Sequence, residues 1–474
     1  SSKSYLKNNL SVNASFPKNE GLVNDFVAQT LSGHSFLLSN VMKANYKKKN
    51  GGVADLEWKA SFVDKRGVLN MSETNMSQLL RQRNFQSEAT GSLLAFTIPH
   101  LMFNLNGKVM FDWQRVSAGL NSLSDASGSE QKTWLLGAFV SPKILLHFGN
   151  RLQWLVYVPV GVKYYHSDDG SLDYDKRFFS TCPYSNLTYK PTGRLSFDLT
   201  TICEESMPSV LSQMVLKHFV NYRTTMSNPY QVEITPNRSV KLAFTSSYKD
   251  IIKMLFGGVT LSYVDARNGN SMGYQVVDDV VNYIVQPQST KNRVWQIEQM
   301  VSKGFFRWNS KISESLSIGT SRSEYYVGGD CHDGRSDYLQ AKISYVASVR
   351  KWLNLSISND YSVSKPYTDG KASGDVYRTF MNASSFTFWL GKQLNVVPSV
   401  QYYHNNYFSS GRNNVFLNTV MEYYWGNATL SLKCTNLLDS RTFHRIIDNG
   451  ITRYSGEYQL RGRTILFGIR IKII

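Results

Sequence analysis

No stretch of this 474-residue chain approaches the ~20 consecutive apolar residues that a membrane-spanning helix needs. The most apolar run, Trp154–Val160, has only strand length and contains Pro159. A helical membrane protein is therefore excluded. Catalytic signatures are missing as well. There is no G-x-S-x-G, Walker loop, H-E-x-x-H or paired-cysteine zinc spacing, and the eight histidines are dispersed. Neither catalytic residues nor a cofactor are expected. Clustered charge is scarce too. The net charge is +17, a value that first suggests nucleic acid, yet apart from Lys47-Lys48-Lys49 the cations are scattered singly. Such scatter fits pore-lining and rim charges, with anionic lipopolysaccharide or anionic solutes as partners and no nucleic acid. The chain begins at Ser1 without a Met or a basic-then-apolar leader, so a mature or trimmed exported chain is expected.

What is abundant is aromatic residues, 13% of the chain, with 28 Tyr and 25 Phe. Strands and membrane-interface girdles use these residues. Apolar and polar residues alternate with period two. Ala54, Leu56, Trp58, Ala60 and Phe62 alternate with Asp55, Glu57, Lys59 and Ser61. Leu195, Phe197 and Leu199 do the same, as do Leu353, Leu355 and Ile357, and finally Ile465, Phe467, Ile469 and Ile471. These segments run longer than globular strands and fit membrane strands.

Short turn signals, such as Asn104-Leu105-Asn106-Gly107, Gly149-Asn150, Pro191-Thr192-Gly193 and Gly391-Lys392-Gln393, alternate with longer polar stretches. The long loops are expected near 65–84, 119–131, 167–181, 204–237, 267–292, 327–335, 367–378 and 438–456. This alternation predicts an all-β, transmembrane antiparallel barrel of about 20–22 strands, with short periplasmic turns and long extracellular loops. Individual strands are expected near 4–16, 34–47, 53–64, 85–102, 107–118, 132–147, 151–166, 182–190, 194–203, 238–248, 252–266, 293–305, 307–325, 336–350, 353–366, 379–390, 394–408, 414–425, 428–438 and 457–473. Both termini then fall in the periplasm. Segment 271–286 is assigned to a loop hairpin. Residues 204–222 place Met207, Val210, Leu211, Met214, Val215 and Phe219 at near-helical spacing, which predicts a short helix in an extracellular loop.

Two groups invite chemistry. Asp330, Asp333 and Asp337 lie in a predicted outer loop, and their oxygens suit Ca²⁺, although turns favour the same residues. Cys182 and Cys203 flank the turn at Pro191–Gly193. A hairpin centred between Thr192 and Gly193 sets them directly opposite, so a disulfide is expected, the alternative being two small residues at a rim. Cys434 shares an apolar face with Leu430 and Leu432, and Cys331 has no evident partner. Tyr165-His166 and Tyr403-His404 sit near strand ends, at girdle positions.

Thr435-Asn436-Leu437-Leu438-Asp439, then a loop, then Arg461-Gly462-Arg463-Thr464-Ile465-Leu466-Phe467-Gly468-Ile469, resembles the last two strands of TonB-dependent receptors. Pro183-Tyr184-Ser185-Asn186-Leu187-Thr188-Tyr189-Lys190-Pro191 resembles their mid-barrel hairpin. The resemblance implies an outer-membrane barrel for nutrient uptake, with a globular plug and a TonB-contacting segment. Two features depart from it. The chain ends Lys472-Ile473-Ile474 rather than on an aromatic residue, and nothing plug-like precedes the first strand, so 1–474 reads as a single barrel. Either a plug lies upstream, with TonB as partner, or the chain is a plugless relative. The second case suggests a structural or scaffold subunit of an outer-membrane complex. A surface lipoprotein is a further candidate partner on the long loops.

Overall fold

A computed structural model describes residues 5–23, 27–47, 53–71, 76–121, 126–170, 173–215, 217–221, 224–230, 232–277, 280–407, 412–448 and 453–472. Twenty antiparallel wall strands are present among the described residues, each interrupted strand counted once. They are β1 (Tyr5–Ser15 and Lys18–Val23), β2 (Val27–Lys47), β3 (Val53–Met71), β4 (Met76–Ile98) and β5 (Leu101–Asn121). Next come β6 (Ala126–Phe148), β7 (Leu152–Tyr157 and Val160–Asp168), β8 (Asp173–Thr181 and Tyr184–Tyr189), β9 (Leu195–Ser206) and β10 (Asn237–Asp250). The wall continues through β11 (Leu255–Asn268), β12 (Thr290–Phe305), β13 (Ser310–Val327), β14 (Asp330–Arg350) and β15 (Leu353–Thr368). It ends with β16 (Tyr377–Leu390), β17 (Leu394–Asn405), β18 (Asn413–Trp425), β19 (Ala428–Thr435) and β20 (Thr464–Ile471). Each pairs with its successor, so β1 and β20 run in opposite directions, as the first and last strands of a closed barrel must.

The two faces differ in polarity as a membrane wall requires. Leu261, Ile297, Ile318 and Ile343 are exposed on the outer face. The opposite face carries Gln296, Glu298, Gln340 and Asp360; Gln296 donates to Glu298 along its strand and to Ser317 across, and Gln340 donates to Asp360 across strands. From the Trp295 row to the turn at Phe306–Trp308, a tilted strand descends ~25 Å, the height of an outer-membrane apolar band. No helix among the described residues is long and apolar enough to cross a membrane.

The expected strand number and the hairpin Ser271–Val277/Val280–Gln286 are both present. Several boundaries move. Much of the predicted loops 65–84, 119–131 and 327–335 is strand, because β3 to β6 and β13–β14 extend beyond the apolar band, where both faces turn polar and alternation fades. β13 and β14 meet at Gly328–Gly329, with φ of 60° and 105°, the positive values a tight primed hairpin turn demands. The first half of β8 occupies most of the predicted loop 167–181. The turn expected at 104–107 lies instead at Pro99–His100, where His100 takes φ 73° after a proline. The final strand begins at Thr464 rather than near 457, because Thr442–Asp448 and Arg453–Gln459 form their own two-stranded sheet.

Candidate functional site

The sequence motifs fall at that last hairpin and at a split in the wall. Asn436, nearly buried, donates to the carbonyls of Ser440 (2.8 Å) and Arg461 (3.1 Å), and its Oδ1 accepts the Ser440 N–H (2.9 Å). Asp439 accepts the Arg463 N–H (2.9 Å) and pairs with Arg441. These bonds hold its carboxyl below the usual range, the Arg463 amide contributing most. The Asn-Leu-Leu-Asp stretch is thus a clasp that closes the base of the final loop.

The wall opens between β8 and β9. Their ladder covers only Tyr184–Tyr189, and the last bond beyond it runs from the Cys203 N–H to the Pro183 carbonyl (3.1 Å). Above it, among the described residues, the first half of β8 pairs only with β7, and β9 pairs only with β10. Pro159 and Pro183, which have no N–H to donate, interrupt β7 and β8 at this level. A cavity of about 700 Å³ occupies the split. Lys163 on β7 reaches Glu205 on β9 at 2.7 Å, and Arg238 on β10 holds the same carboxylate at 3.0 Å. The Lys163 and Glu205 side chains retain 9% and 4% of their exposure, so this pair is desolvated. A side chain at Gly161 would collide with the Ala138 backbone and the Phe139 ring, which also lies beneath the Lys163 ammonium.

Cys182 and Cys203 lie at the foot of the split. The hairpin is centred on Gly193, with Tyr184 facing Ile202, so the two cysteines are offset by one position rather than directly opposite. Both are free thiols here, and the Cys203 thiol donates to the Thr181 carbonyl (3.9 Å). Cys434 faces Ile465 on the lipid side.

Behind the split, the described residues between Met207 and Pro236 fold inward against the wall. The helix predicted over 204–222 is a single 3-10 turn, Val210–Gln213, capped by the Ser209 hydroxyl. Val210 and Met214 are buried against Val116 and Ala118 on the inner face of β5, with Leu80 and Leu211 beside them. Gln78 of β4 clamps the Phe219 backbone: Nε2 donates to its carbonyl (2.7 Å) and Oε1 accepts its N–H (2.6 Å). Tyr165 of β7 donates to Gln213 (2.6 Å), so it faces the lumen rather than a girdle. Thr224–Ser227 adds in parallel to Val280–Gln286, so the loop hairpin at 271–286 is part of the same inward mass. Apolar Leu80, Val116, Ala118 and Leu135 on a mostly polar lumen face were the available sequence signal for this packing.

The three aspartates do not converge. Asp330, Asp333 and Asp337 lie on strand β14, with Asp330 on the opposite face from the other two. Arg335 grips Asp337 in a bidentate pair (2.9 and 2.7 Å). Asp369 accepts from the Asp333 N–H and contacts His332 (2.8 Å), which holds the Asp369 carboxyl below its usual range. Among the described residues, no three potential metal ligands gather.

No family model matches the sequence, and no curated protein matches it. Solved structures do match. The copper transporter OprC covers 99% of this chain over 80% of its own, at 10% identity and TM-score 0.53. The unliganded ferric citrate transporter FecA covers 97% over 69% of its own, at 8% and 0.56. The alcaligin outer-membrane receptor FauA from Bordetella pertussis covers 88% over 65% of its own, at 13% and 0.51. The chain therefore has the fold of outer-membrane transporters and receptors, a transmembrane β-barrel. That is the fold implied by the resemblance to TonB-dependent receptors.

Proposed function

We propose that the chain forms the wall and loops of an outer-membrane uptake receptor. It admits a nutrient too large or too scarce for diffusion, with energy delivered through TonB and a plug contributed by residues outside these 474. The observation that carries this reading is the inward-folded segment 207–236, whose described residues pack inside a wide barrel on the inner faces of β4, β5 and β7. A barrel of this width is otherwise an open pore. The short turns lie in the periplasm with both termini, and the hairpin Thr442–Gln459 lies outside, available to cargo or a surface lipoprotein. The test is a strain deleted for this gene, grown on a panel of scarce metal chelates and glycans. A growth defect on one of them, reproduced by deleting TonB, is the expected result. Normal growth on all of them, with loss of a co-purifying outer-membrane partner, replaces uptake with a scaffold role.

Cys182 and Cys203, one position out of register at the foot of the split, form a disulfide in the exported protein under this reading. Maleimide labels neither residue until a reductant is added. Equal labelling of both in the unreduced protein removes the disulfide.

A further inference from the structure

The outer face carries a pattern that the lumen leaves unused, and it occurs twice. On β3 to β6, Phe62, Phe85, Trp113 and Trp134 stand side by side in one cross-strand row. Two residues farther from the short turns, the next row reads Asp64, Arg83, Arg115 and Lys132. On β11 to β14, Leu261, Ile297, Ile318 and Leu339 form one row, and Tyr263, Trp295, Thr320 and Asp337 the next. Above these stand Asp265, Arg293, Arg322 and Arg335. Both sites thus place a line of cations just above aromatic residues at the edge of the apolar band.

Like charges directly opposite across strands repel one another. Local acids answer only part of that charge. Asp64 serves both Arg81 and Arg83, and Glu130 serves both Arg115 and Lys132. Asp265 meets Arg293 at 3.4 Å, and Asp337 is held by Arg335. Arg322 stands exposed between Arg293 and Arg335 with no ion-pair partner among the described residues. Directly below lies a groove of about 810 Å³ lined by Leu242, Phe244, Leu261, Ile297, Ile318 and Leu339. Anionic groups at headgroup height with apolar chains beneath are what a lipid supplies, and guanidinium forks match phosphate geometry.

We propose that Arg293, Arg322 and Arg335 clamp the phosphate of a phosphate-bearing lipid of the outer leaflet, whose acyl chains lie in the groove below. Arg83, Arg115 and Lys132 form a second seat of the same kind. This holds whatever the barrel admits.

The full chain in detergent is titrated with diphosphorylated lipid A, with the same lipid dephosphorylated, and with inorganic phosphate, and bound lipid is counted by native mass spectrometry. Diphosphorylated lipid A binds preferentially, and the R293Q/R322Q/R335Q variant weakens it by about a hundredfold. Heat-modifiable migration on a gel checks that the variant is folded. Should it not fold, the wild-type comparison decides alone. Equal binding of the dephosphorylated lipid overturns the proposal. So does displacement of the lipid by inorganic phosphate at equal concentration, which marks a free-anion site, or a folded triple variant that binds as wild type.

Discussion

Removing residues 208–235 and joining Met207 to Pro236 with a short Gly-Ser linker raises the single-channel conductance of this chain in planar bilayers several-fold. The reason lies in what the segment covers. Val116 and Ala118 on the lumen face are buried by Val210 and Met214, and Leu135 and Tyr165 are buried by Ile234 with Met207 beside them. Burial of a side chain like Met214 contributes roughly 2 kcal/mol. The Gln78 clamp and the Tyr165–Gln213 bond add about 1 kcal/mol each. The loop is therefore seated by two apolar clusters and by bonds to several wall strands, which hold it inside the barrel. M214D gives a subtler version of the deletion. An unpaired carboxylate cannot stay in that site without a cost of several kcal/mol, so the turn leaves the wall. Conductance unchanged in both variants means that the segment does not obstruct the pore.

Much of the barrel was legible because alternation reports a wall with one greasy and one wet side. Leu261, Ile297 and Ile318 announce the lipid face by themselves, and a period-two pattern cannot slip by one residue without exposing the wrong face. Legibility stops where that contrast stops. Tyr174, Lys176 and Phe178 face the lumen while Asp173, Asp175 and Arg177 face out, so the top of β8 has charge on both sides and reads as loop. The inward segment was harder still. Met207, Val210 and Met214 carry near-helical spacing, yet they serve packing against the wall, and one 3-10 turn suffices for it. Lys163 and Glu205 sit far apart in sequence on β7 and β9, strands that β8 separates, so neither register nor spacing could pair them. The cysteine offset has a similar origin. Centring the turn on Gly193 instead of beside it moves every partner by one, and no composition rule resolves that choice.

The Glu205 carboxylate links strands where the backbone does not. Above Pro183, among the described residues, no ladder joins β8 to β9, and Glu205 bonds Lys163 on one side of the split and Arg238 on the other. E205L leaves the Lys163 ammonium enclosed with no counter-charge, while Arg238, whose side chain keeps 51% of its exposure, can turn to water. Breaking a buried pair from one side costs about 3 kcal/mol or more, whereas replacing both partners by apolar groups is often neutral. Reversible urea unfolding in lipid vesicles should therefore show E205L destabilised by about 3 kcal/mol, and E205L/K163M restored most of the way to wild type. R238Q, removing the exposed partner, should cost under about 1 kcal/mol. The ordering carries the claim. If E205L and R238Q cost the same, or if the double variant is as weak as the sum of its singles, the pair is not the desolvated latch across the split that its geometry describes. If the ordering holds, the Glu205 carboxylate is what bridges the upper part of the split between β8 and β9, above the last backbone bond at Pro183.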